Sequence, residues 1–191
     1  QPFPASPEVF HIHPVALVGN FQATSNCVPL ERAQMLALRV STGFEGAHEL
    51  DYSAIAGNFD GMGMSYGLIQ WNVGMGTLKP LLIAMRNADA ASFRDAFDSP
   101  SNYDALSNAL SSSGNNALFN WVIQQQSSNA TNWKKPFKKL SEIQAFKDIQ
   151  LSKAVSERHI FVMKMITFLR GIAPSLMKKV ELVSYCALFD L

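Results

Sequence analysis

The stretch from Gly57 to Gly76 constrains the fold more than any other part of the chain. It reads Gly57-Asn58-Phe59-Asp60-Gly61-Met62-Gly63-Met64-Ser65-Tyr66-Gly67-Leu68-Ile69-Gln70-Trp71-Asn72-Val73-Gly74-Met75-Gly76. Glycine at this density excludes a regular helix, because each one adds backbone entropy to be lost and removes a packing side chain. Asn58-Phe59-Asp60-Gly61, with Gly63 and Gly67 beyond, suits turns of positive φ, and Met64 to Trp71 suits short strands, so a small hairpin is expected. The glycines also leave backbone bare, as a groove floor needs where a polymer comes close.

The flanks read as helix. Pro29 stands where a missing N–H costs nothing, and Leu30, Ala33, Leu36, Ala37, Val40 and Phe44 follow at helical spacing as a buried stripe. Ser41, Thr42 and Gly43 weaken that helix, so Glu45 falls at or just past its C-terminal end. On the other side, Thr77 is an N-cap for a helix through Leu78, Leu81, Leu82 and Met85. Further helices are expected at about 89–98, 103–112, 115–127, 141–170 and 175–191, divided by Ser99-Pro100, Ser111 to Gly114, Ser127 to Asn129 and Gly171 to Pro174, with Ser175 a cap for the last. The 141–170 segment is long enough to be two helices. The expected architecture is a mainly α, α+β domain over 29–191 with a small β-hairpin, preceded by an extended, proline-rich leader over 1–28.

Composition narrows the function classes. With 191 residues, 48% of them hydrophobic and 16% charged, the chain can bury a core of its own. A formal net charge of +1 gives no case for a nucleic-acid partner. Charged residues break every apolar run before it reaches the roughly 20 residues of a membrane span, so no membrane insertion is expected. Cys27 and Cys186 form no CxxC pair; they are a bridge between the two ends in an oxidising compartment or two buried thiols in a reducing one. His11 and His13 share one face of a strand but lack a third ligand, so neither a metal nor a cofactor is expected. Lys134-Lys135-Pro136-Phe137-Lys138-Lys139 is the one charge run, expected as a solvated loop or, alternatively, a basic lip that attracts an anionic polymer. Gln1 in place of Met, and a helical pattern at Val183–Leu191 that stops without a cap, are expected of a processed product or an excised domain.

Glu45 and Asp60 bracket the polar part of the region and differ in environment. A helix C-terminus and Phe44 disfavour the charged form of Glu45 and should raise its pKa, as a general acid requires. Asp60, in a glycine turn, suits the ionised partner, and cleavage of a glycosidic bond needs one of each. Ser65 could hold an attacking water, Tyr66, Gln70, Asn72 and Thr77 could bond sugar hydroxyls, and Trp71 offers a stacking face. On the residues alone the plainer alternatives stand open: Asp-Gly as an ordinary turn, Trp71 as core, Glu49 or Asp51 in place of either acid, and Met62, Met64 and Met75 as packing.

Phe44-Glu45-Gly46 followed by Gly57-Asn58-Phe59-Asp60-Gly61-Met62-Gly63-Met64-Ser65-Tyr66-Gly67 resembles the active-site segment of the lysozyme-like superfamily, in particular family 46 chitosanases and related peptidoglycan hydrolases. The resemblance implies Glu45 as general acid, Asp60 as general base and Ser65, where the chitosanases usually have threonine, as the water-orienting hydroxyl. The continuation from Gln70 to Leu82 is more similar to lysozyme-like domains of bacterial cell-wall hydrolases and antibacterial effectors. What it implies is a monomeric muramidase-type glycoside hydrolase acting on peptidoglycan strands, secreted or periplasmic. A toxin domain of a secreted effector, with an immunity protein as partner, fits the same resemblance. The rivals are a chitosanase and a non-catalytic glycan-binding module that holds sugar through Trp71 and Tyr66.

Overall fold

A computed structural model describes residues 10–12, 26–45, 50–97, 99–174 and 180–191. The described residues are mainly helical and add two small antiparallel sheets. They divide into two compact units, one of residues 1–49 and 155–191 and one of residues 50–154.

In the first unit the leader contributes two short strands, β1 (Phe10–Ile12) and β2 (Asn26–Val28), which pair with Phe10 opposite Val28 and His11 opposite Cys27. His13 lies outside the described residues. Helix α1 (Leu30–Glu45) starts as expected, the Pro29 carbonyl accepting the first helical bond from Ala33 N at 3.0 Å. Its buried face is a correction to the expected stripe. Ala33, Ala37, Leu38, Ser41 and Thr42 are inside, whereas Val40 is exposed. The physical reason is α8 (Leu182–Asp190), which packs along this face of α1. Thr42 turns its hydroxyl back to the Leu38 carbonyl at 2.9 Å, and Ser41 donates to Asp190 Oδ1 at 2.5 Å, so two residues expected to weaken the helix are buried with their polar atoms satisfied. Tyr185 and Phe189 of α8 are fully buried, and His159 Nδ1 lies 2.9 Å from the Tyr185 hydroxyl. Cys186 is a free thiol, its pKa pushed up by burial, and the Cys27 side chain lies outside what is described. Ser175 lies outside the described residues.

The second unit holds the glycine-rich region and a helical shell. Helix α2 (Leu78–Ala88) buries Leu78, Leu81, Leu82 and Met85, the i, i+3, i+4, i+7 stripe of an amphipathic helix. Asp89 ends it and caps α3 (Ala90–Asp95), accepting from Ser92 N at 2.9 Å and Ser92 Oγ at 2.6 Å. Helix α4 (Pro100–Ser111) begins at the Ser99-Pro100 break, with proline in its first turn and the Ser99 hydroxyl accepting from Asn102 N. Helix α5 (Asn116–Ser128) follows.

From Lys135 onward the basic run is helix and not loop, with Lys134 at its N-cap. Helix α6 (Lys135–Glu142) buries Pro136, Phe137, Leu140 and Ser141 while Lys135, Lys138 and Lys139 stay exposed. Proline is tolerated there because the first turn has no partner for its N–H. The expected 141–170 segment breaks at Ile143, and α7 (Gln144–Ile172) then runs without interruption, its residues to Ala154 belonging to the second unit and the rest to the first. Aromatic rings hold the second unit together. Phe97 meets Phe93, Trp121 and Phe137 with centroids 5.7, 6.3 and 6.1 Å away, and Phe146 closes on Phe93 at 6.2 Å, in tilted or edge-on geometry.

Candidate active site

Residues 50–77 form a region too irregular to satisfy its own backbone. Three two-residue strands, β3 (Ile55–Ala56), β4 (Ser65–Tyr66) and β5 (Trp71–Asn72), make an antiparallel sheet in that order, with Ala56 opposite Ser65 and Ser65 opposite Asn72. The expected hairpin is β4 and β5, and β3 is an added strand. Such short ladders leave peptide groups to be paired elsewhere, and long side chains from the helices supply the partners. Gln150 of α7, fully buried, accepts from Leu68 N at 3.1 Å and donates to the Tyr52 carbonyl at 3.1 Å. Gln126 of α5 accepts from Asn58 N at 3.0 Å and donates to the Gly63 carbonyl at 2.7 Å. Lys134 reaches the Ile55 carbonyl at 3.4 Å. Gly63, at φ +85°, passes so close to Phe119 that a Cβ would sit 3.1 Å from its ring.

Asp60 is exposed on the connection from β3 to β4. Its Oδ1 accepts from Met62 N at 3.0 Å, an Asx turn that fixes the carboxylate against its own backbone, and the Asn58 side chain accepts from Gly63 N at 2.7 Å across the base of the same turn. Ser65 is half-buried on β4 and accepts from Asn72 Nδ2 at 3.0 Å, which leaves the hydroxyl proton for another acceptor. Glu45 closes α1 as expected; its side chain, and with it the expected rise in its pKa, lies outside what is described, as does Glu49.

The five expected sugar-contacting residues all have structural work. Tyr66 and Trp71 are 0% and 2% exposed, so neither ring has a face to offer a pyranose. Tyr66 donates to the Phe137 carbonyl at 2.9 Å, and burial pushes its phenol pKa well above the usual value. Asn72 is buried, its Oδ1 accepting from Met75 N at 3.1 Å and its peptide N–H donating to Thr77 Oγ1 at 2.8 Å. Thr77 stands at the N-cap position of α2, but its hydroxyl serves Asn72 and makes no capping bond. Gln70, at φ +52°, donates to the Gly67 carbonyl at 3.1 Å and closes the β4–β5 turn, leaving it half-exposed.

Phe59, given no role in the sequence, and two methionines expected as packing take the exposed positions, because the turn and loop that carry them lie at the surface. Phe59 beside Asp60 is 85% exposed and Met75 74%, with Met62 between them in chain order also exposed, while Met64 is core as expected. The Met62 carbonyl accepts from Gly74 N at 2.9 Å, which ties the Asp60 turn to the Gly74–Gly76 loop. From Gly76 an open groove of about 610 Å³ continues between Lys79, Ile83 and Asn87 of α2 and Gly114 and Asn115 before α5. An aromatic before Asp-Gly was a readable signal for Phe59. Gln126 and Gln150, on helices distant in sequence, gave none.

Among the described residues no group of three or more His, Cys, Asp or Glu could hold a metal ion. No described helix is long and apolar enough to cross a membrane. In comparisons with known proteins, the chain matches no family model, no curated protein and no solved structure.

Proposed function

We propose that the chain is a lysozyme-like glycoside hydrolase that cuts the glycan strand of peptidoglycan by acid and base catalysis. Protonated Glu45 donates to the glycosidic oxygen, ionised Asp60 activates water from the opposite face, and Ser65 donates its proton to orient that water. The observation that carries the reading is the Asp60 turn: a carboxylate exposed to solvent yet fixed by the Met62 N–H. Inversion at the anomeric carbon is the expected stereochemical outcome. Phe59 is exposed where Trp71 and Tyr66 are buried, so in this reading it is the ring that meets a sugar face. Peptidoglycan as substrate makes the chain a secreted or periplasmic protein, and a protein that blocks the cleft would be its natural antagonist.

The test is digestion of purified sacculi and of chitosan by the native protein, Glu45→Gln and Asp60→Asn, with mass spectrometry of released fragments. Native protein is expected to release muropeptides, and each variant to lose about 100-fold or more in rate. Turnover retained in Glu45→Gln excludes the assignment, and activity on chitosan alone moves the substrate to chitosan.

A further inference from the structure

The loop that carries Asp60 is closed at its base by a side chain from another element. Gln126, in the last turn of α5, accepts from Asn58 N at 3.0 Å and donates to the Gly63 carbonyl at 2.7 Å, so one carboxamide ties the two ends of residues 58–63. Only one orientation of that amide works, because a peptide N–H needs the oxygen and a peptide carbonyl needs the NH₂. The chain makes room for it: a Cβ at Gly57 would meet Gln126 Oε1 at 2.9 Å. Inside the loop, Asn58 and Asp60 side chains accept from Gly63 N and Met62 N, so the carboxylate is set by a loop whose ends are themselves set by Gln126. Between Ala56 and Ser65 the loop belongs to no strand, and its backbone ties outside itself are Met62 O accepting from Gly74 N at 2.9 Å and Met64 O accepting from Val73 N at 3.0 Å.

We propose that Gln126 is a positioning residue for Asp60, acting through the 58–63 loop and not through contact with substrate; this rests on the function proposed above. A base displaced by about 1 Å loses on the order of 100-fold in rate, whereas substrate held by other surfaces keeps its affinity. A merely structural glutamine would change the melting temperature and little else.

The experiment measures kcat and KM on soluble glycan strands released from sacculi for the native protein, Gln126→Ala and Gln126→Glu, together with melting temperature and amide exchange at Asn58 and Met62. Gln126→Glu keeps the acceptor for Asn58 N and loses the donor to Gly63, so it tests the clamp with least disturbance to packing. Both variants are expected to lower kcat about tenfold or more with KM within about twofold, and to speed exchange at Asn58 and Met62. Unchanged kcat in a folded variant, or a loss confined to KM, overturns the positioning role while leaving the function standing. A native protein without turnover on any glycan overturns the function and this role with it.

Discussion

Gln150 shows how much one side chain carries at the residue scale. It is fully buried, and its carboxamide is the partner of one peptide N–H and one peptide carbonyl in a segment with almost no ladder of its own. Gln150→Leu fills similar volume but orphans both groups inside the protein, and each buried unsatisfied group costs about 1–3 kcal/mol. Urea unfolding should therefore show Gln150→Leu destabilised by about 2–6 kcal/mol. A loss below about 1 kcal/mol would mean that the Leu68 and Tyr52 peptide groups find other partners.

At the scale of elements, α6 and the α2–α3 junction decide between sequence readings. The lysine run is amphipathic helix, so Phe137 and Lys138, adjacent in sequence, should respond very differently. Phe137→Ala is expected to cost about 3–5 kcal/mol and Lys138→Ala to stay within about 0.5 kcal/mol, by denaturant unfolding. Equal, small effects would return the run to a loop. Asp89 ends α2 and caps α3, and its bonds from Ser92 hold the carboxyl pKa below the ordinary 3.8. A lowered folded pKa means that the carboxylate stabilises the fold above the ordinary value and loses that contribution as pH falls through the folded one. The gap in melting temperature between native protein and Asp89→Ala should be full at neutral pH, narrow below about pH 3.8 and close in stronger acid.

On the scale of the whole molecule, the unit of residues 50–154 is a continuous piece of chain with its own aromatic core, its three-stranded sheet and the glutamine clamps. Expressed alone, it should melt in one cooperative transition by circular dichroism. It lacks Glu45, so under the proposed function it should release no fragments from sacculi. A folded 50–154 piece with turnover would place the general acid within that unit, with Asp51 the first acid to test.

Local rules reached as far as local physics operates. Glycine spacing announced the β4–β5 turn, Ser99-Pro100 marked a break between helices, and the α2 stripe followed from period 3.6, because turn conformations and one-sided burial are encoded within a few residues. Glu45 at a helix end and Asp60 in a glycine turn were legible for the same reason. What burial against distant elements decides was not. Which face of α1 turned inward depended on α8, whether Tyr66 and Trp71 faced solvent depended on the helices around them, and Lys135 to Lys139 became helix because Phe137 had an aromatic core to enter. Gln126 and Gln150 belong to the site only because folding carries them to backbone groups 63 to 98 positions away along the chain, a pairing that no local pattern records.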